Sequence, residues 1–106
     1  MYREIRIGSK TVPMLANAAS SWRYSQCFHE DFLKATQNSD ETEATNIFER
    51  LGYVMARQAE KGDLSKLSEE DFYVWLEQFD ASDYTDALAD IADLYTATEK
   101  ATADPK

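Results

Sequence analysis

Turn-forming residues are scarce in this chain: three glycines and two prolines among 106 residues. An all-β domain needs a tight turn roughly every 8–12 residues and uses Gly and Pro to make them. So few breakers favour long helices and leave room for one hairpin at most. The hairpin has an obvious place. In Tyr2-Arg-Glu-Ile-Arg-Ile7, Ile5 and Ile7 alternate with charged residues, and Gly8-Ser9 then precedes Lys10-Thr-Val-Pro-Met14. A glycine followed by a small polar residue between two alternating runs predicts a two-residue turn with positive φ at Gly8. Pro13 confines the second strand to a sheet edge. Two strands alone are marginal in water, so this hairpin must lie on helices or pair with another chain.

The remaining sequence has helical spacing. Ser20 or Ser21 is placed to cap a helix over 22–36, with Trp22, Tyr24, Phe28, Phe32 and Leu33 on its apolar side. Residues 36–42 are polar and predict a loop. A second helix is expected over 43–61, striped by Ile47, Leu51, Val54 and Met55, with Gly62 at its end. Ser68 precedes three acids and caps a short helix through Gln78 that carries Phe72, Trp75, Leu76 and Phe79. Asp80-Ala-Ser82 opens a last helix over 83–97, striped by Tyr84, Leu88, Ile91, Leu94 and Tyr95. The expected fold is mainly α: an N-terminal β-hairpin followed by about four helices in a small bundle. Residues 1–97 form one domain and 98–106 a polar, flexible tail. Hydrophobic residues at 43% of the chain suffice for a core.

Charge excludes several functions. There are 11 Lys and Arg against 20 Asp and Glu, for a formal charge of −9. Phosphate contacts need clustered cations, so neither a nucleic-acid partner nor an anionic membrane surface is expected. The charge is also polarised. Residues 1–37 hold five bases (Arg3, Arg6, Lys10, Arg23, Lys34) and three acids, whereas the stretch from Leu67 to Glu99 holds ten acids and no base. No apolar run reaches the roughly 18 residues of a membrane span, and the first residues have no cleavable signal pattern. The chain reads as a soluble intracellular domain.

Catalytic and metal chemistry find no constellation. A single cysteine, Cys27, excludes an internal disulfide, and with the single histidine, His29, it falls short of a zinc quartet. Cys27 and His29 are two apart on a helix and point to different faces. Asp83, Asp86, Asp90 and Asp93 are spaced 3, 4 and 3 on one helix face. They fan out along the axis rather than converging on a hard cation, so they read as a solvated acidic face, or a surface for a basic partner. Asn38-x-Asp40-x-Thr42 with Glu49 mimics the ends of a calcium loop, but Glu43 stands where glycine is required. Glu69 and Glu70 are explained by a helix N-terminus. No enzyme activity and no cofactor is expected. Of six large aromatics, Trp22, Phe28, Phe32, Phe72, Trp75 and Phe79, most belong in the core; the remainder would form an apolar patch on a protein that works by binding.

Taken together, the hairpin of residues 2–13, Trp22-Arg-Tyr-x-x-x-Phe28-x-x-Asp31, Leu51-Gly-Tyr-Val-Met-Ala-Arg57 and Phe72-Tyr-Val-Trp-Leu-Glu-Gln-Phe79 before an acidic helix resemble the tail assembly chaperones of long-tailed bacteriophages and prophages of Gram-positive hosts. The resemblance covers residues 2–95 and rests on loose patterns. It implies a non-enzymatic protein, corresponding to the family's short form, that binds the tape measure protein and tail tube subunits in the host cytoplasm and is absent from the mature virion. It supplies no catalytic residues. Two other readings fit the composition: an acidic inhibitor that mimics nucleic acid through Asp83, Asp86, Asp90 and Asp93, and a small regulatory or toxin-neutralising adaptor. A homo-oligomer is also expected, joined through the hairpin, since Ile5, Ile7, Val12 and Met14 need burial and the polarised charge suits a head-to-tail contact.

Overall fold

The computed structural model describes residues 1–38, 40–62 and 64–103, with side chains at 1–37, 40, 42–62 and 64–97. It is mainly helical, with an N-terminal antiparallel hairpin, as the breaker content predicts. Strand β1 (Tyr2–Ile7) and strand β2 (Lys10–Leu15) pair in the register Ile7–Lys10, Ile5–Val12, Arg3–Met14. Gly8 has φ 62° and Ser9 does not share the positive φ, the signature of a II′-type turn. Beyond the strands, Met1 and Ala16 exchange both of their backbone hydrogen bonds, at 2.5 and 2.8 Å. Antiparallel ladders alternate, so Arg3–Met14, Ile5–Val12 and Ile7–Lys10 are the other hydrogen-bonded pairs. The backbone groups of Tyr2, Glu4 and Arg6 therefore point out of the β1 edge, and those of Thr11, Pro13 and Leu15 out of the β2 edge. Pro13, lacking an N–H, sits where no ladder bond is asked of it.

Helix α1 (Ala19–Phe28) and helix α2 (Phe32–Asn38) replace the single helix expected over 22–36. His29 takes the left-handed conformation (φ 54°, ψ 43°) and ends α1. The Lys34 N–H then donates to Asp31 Oδ1 at 3.2 Å, and the Phe32 N–H to Ser25 Oγ at 3.1 Å, which starts α2 at an angle. The bend lets Phe32 turn inward, where its ring lies 5.0 Å from Tyr24 and 5.3 Å from Tyr95. Neither Ser20 nor Ser21 caps α1. Ser20 is fully buried and receives a hydrogen bond from Gln58 Nε2 at 2.9 Å, and the first turn is held by the Asn17 side chain, which accepts from the Ala19 N–H.

Helix α3 (Glu41–Glu60) is the central element, capped by Asp40, whose carboxylate accepts from the Glu43 N–H at 2.9 Å. It opens two residues before the expected start, and α2 runs into the stretch expected to be loop. All six residues from Leu51 to Ala56 are buried, so α3 is enclosed on several sides rather than along one stripe. Lys61, not Gly62, adopts the left-handed conformation after it. A short 3-10 turn over Leu64–Lys66, which the sequence did not lead us to expect, precedes helix α4 (Glu69–Leu76). Ser68 caps α4 as predicted, its hydroxyl accepting from the Asp71 N–H at 3.0 Å. Helix α5 (Ala81–Ala103) starts two residues early and continues six residues past 97, into the stretch expected to be tail. Residues 104–106 lie outside the described residues.

The hairpin lies on the helices, β2 chiefly against α3 and β1 against α5. Aromatic rings form a continuous seam through the core: Phe28 meets Phe72 at 5.3 Å, Tyr53 meets Trp75 at 5.7 Å, and Trp75 meets Tyr84 at 5.6 Å. Edge-to-face pairs of this kind contribute on the order of 1 kcal/mol beyond their buried area. Hydrogen bonds join the elements at their margins. Tyr53 donates to Asp71 Oδ2 at 2.6 Å and Arg57 donates to both Asp71 oxygens, which fastens α4 to α3. Tyr24 donates to Glu30, which also pairs with Arg50 at 3.6 Å, fastening the α1–α2 corner to α3.

Candidate partner-binding surfaces

The hairpin residues expected to drive self-association are not available for it. Ile5, Ile7 and Met14 are buried within the chain, and Val12 packs half-buried against the same core. The alternation that reads as a sticky strand face is satisfied by α3 and α5. A contact between copies through the hairpin would use its outer face or an edge.

The four aspartates on α5 are not equivalent. Asp86, Asp90 and Asp93 are exposed, on one flank of the helix. Asp83 is half-buried, and its carboxylate packs so closely on the hairpin turn that a Cβ at Gly8 would overlap it. Gly8 thus serves both the positive φ and the seat of α5 under the turn. The exposed stripe is therefore three residues long, about 10 Å at 1.5 Å per residue. Among the described residues no three His, Cys, Asp or Glu side chains gather as a metal site.

Cys27 is buried beside Phe28, and burial, with smaller contributions from the Glu69 and Asp71 charges, pushes its thiol up to about 11. It is protonated at neutral pH and a poor nucleophile. His29 is exposed at the α1–α2 corner.

What the sequence did not single out is where the apolar surface lies. Trp22 is 75% exposed and Leu33 59% exposed, although both fell on the predicted core stripe of one straight helix. Within α1, Trp22 stands about 200° and 240° around the helix from the buried Tyr24 and Phe28 and so faces outward; in α2, Phe32 is buried while the next residue, Leu33, is exposed. Trp22 and Leu33 flank a hollow of about 370 Å³ that His29, Glu30, Asp31 and Phe32 also line. A second apolar pair, Tyr73 and Val74, is exposed on α4 between Glu69, Glu70 and Glu77. Both pairs are thus apolar ground bordered by carboxylates. Large exposed Trp and Tyr side chains on a small domain mark contact surfaces more often than chance. Among the described residues no helix is long and apolar enough to cross a membrane. No protein-family model, curated protein or solved structure matches this chain.

Proposed function

We propose that this protein is a tail assembly chaperone of the kind its sequence resembles, binding the tape measure protein and tail tube subunits in the host cytoplasm and staying out of the mature virion. It acts by binding alone. The observation that carries the reading is the pairing of exposed apolar side chains, Trp22 with Leu33 and Tyr73 with Val74, with an acidic surround. Such a surface suits segments that are apolar and basic, and the remaining net negative charge keeps the complex dispersed. Asp86, Asp90 and Asp93 extend the acidic ground on which a basic segment would be drawn in, and Asp83 serves mainly to seat the hairpin.

Co-expression with the tape measure protein tests this. The expected result is a rise in the soluble fraction of that protein and recovery of both chains together through purification. A double variant, Trp22→Ala with Leu33→Ala, removes exposed side chains only; it should keep the melting temperature and lower co-recovery at least tenfold. Unchanged solubility and no co-purification with the wild-type chain would remove the chaperone reading.

A further inference from the structure

We propose that the β1 edge joins two copies of this chain into a symmetric dimer, by antiparallel pairing of β1 with the partner's β1 in the register Glu4 to Arg6. This is independent of what client the protein binds.

The two edges of the hairpin differ. On the β2 edge, Pro13 has no N–H to offer, and the outward carbonyl of Leu15 is already taken by Gln58 Nε2 of α3 at 2.6 Å. That edge is blunted at two of its three outward residues. On the β1 edge the N–H and C=O groups of Tyr2, Glu4 and Arg6 face outward, and among the described residues no backbone partner from another element covers them. Tyr2, Arg3, Glu4 and Arg6 are all exposed. An open row of six hydrogen-bonding groups is a template for a further strand.

Charge selects the occupant and the register. Glu4 and Arg6 are next neighbours on the outer face of β1, with opposite sign. In antiparallel pairing a residue opposes one on the same face, and only outward-pointing residues form the hydrogen-bonded pairs. Placing Glu4 opposite the partner's Arg6 meets both conditions. Symmetry then places Arg6 opposite the partner's Glu4, giving four backbone hydrogen bonds and two cross-strand ion pairs around a two-fold axis at Ile5. A slip of two residues instead sets Glu4 against Glu4, so the same charges that would blunt the edge toward other strands specify this one. The contact is isologous and closes at two copies, unlike the head-to-tail chain that charge polarity alone suggests.

Sedimentation across a concentration series provides the test, with Glu4→Arg and Arg6→Glu as variants. Both positions are exposed, and an unchanged melting temperature confirms the fold. The wild-type chain should show a monomer–dimer equilibrium. Each single variant creates two like-charge oppositions and should raise the dissociation constant at least tenfold. An equimolar mixture of the two variants restores two opposite-charge pairs across the interface and should dimerise as the wild type does. So should the double exchange E4R/R6E. A wild-type chain that stays monomeric at high concentration overturns the proposal, as does a dimer indifferent to both single variants or a mixture that does not reassociate.

Discussion

Gly52 is the residue on which the packing of α3 against α5 turns. A Cβ there would lie 2.6 Å from the Tyr84 hydroxyl and 3.0 Å from Ile91 Cδ1. Both neighbours are buried, and the Tyr84 hydroxyl is held by the Glu49 carbonyl, so neither yields easily. In a helix interior, alanine is favoured over glycine by up to about 1 kcal/mol. Overpacking in a filled core costs about 1–3 kcal/mol. The close approach wins. Gly52→Ala should lower stability by about 1–2 kcal/mol in chemical denaturation, and adding Tyr84→Phe, which removes the obstructing oxygen, should recover part of that loss. An increase in stability for the single variant would show that α5 moves aside at no cost.

At the scale of elements, the α1–α2 corner brings Phe32 into the core against Tyr24 and Tyr95. His29 occupies the left-handed region without being glycine, at a cost of about 1 kcal/mol. His29→Gly should raise the denaturation midpoint by an amount equivalent to somewhat less than 1 kcal/mol, since glycine also gains freedom in the unfolded chain. A fall would mean that the imidazole itself packs on the corner. This corner also marks where sequence reasoning stops. The hairpin, its turn at Gly8 and the cap at Ser68 were legible because each depends on a few adjacent residues. The break at His29 was not, for no glycine or proline announces it. The bend is held by contacts distant in sequence, Phe32 on Tyr95 and Glu30 beside Arg50. Trp22 and Leu33 are a different matter: at about 100° per residue even a straight helix sets them roughly 120–140° away from the centre of the Tyr24, Phe28 and Phe32 stripe, so grouping all five as one apolar side, and not the bend, hid the candidate site. The start of α3 was legible and overlooked, since Asp40 three residues before Glu43 is a local cap; the left-handed Lys61 was not. The buried Gln58, bonded to Leu15 and Ser20, ties the last turn of α3 to the strand, and tertiary contacts of this kind are not written in local propensity.

Across the whole molecule, three tyrosines knit the core through their rings and hydroxyls. Burial pushes Tyr24 up to about 12 and raises Tyr53 and Tyr84 well above the ordinary tyrosine range; hydrogen bonding to Asp71 adds to the shift at Tyr53, and the Glu49 charge to that at Tyr84. The unfolded chain releases these protons near pH 10, and the folded chain retains them above it. Bound protons are then fewer in the unfolded state, so the tyrosine contribution to stability is fully present below pH 10 and falls as pH rises from there through about 12; the buried Cys27 thiol, raised from 9.0 to about 11, begins the loss about one pH unit earlier. Denaturation followed from pH 8 upward should show a slope approaching about three protons per molecule at its steepest. Tyr84→Phe should reduce that slope by about one. A flat profile to pH 12 would contradict the burial assigned to these hydroxyls.

The chain has two tryptophans, and they stand on opposite sides of the functional question: Trp75 is buried in the aromatic seam, and Trp22 lies open beside Leu33. Trp22 therefore reports directly on the surface proposed to hold the client. The most direct measurement is the fluorescence of the intact chain, read as emission wavelength and acrylamide quenching, while purified segments of the tape measure protein are titrated in. The account predicts a solvated Trp22 in the free protein, and a saturable blue shift with loss of quenching as an apolar, basic segment covers it, both absent in Trp22→Phe. Saturable binding that leaves Trp22 as red-shifted and as quenchable as before would place the contact elsewhere. No binding by any segment of that protein would contradict the proposed function itself.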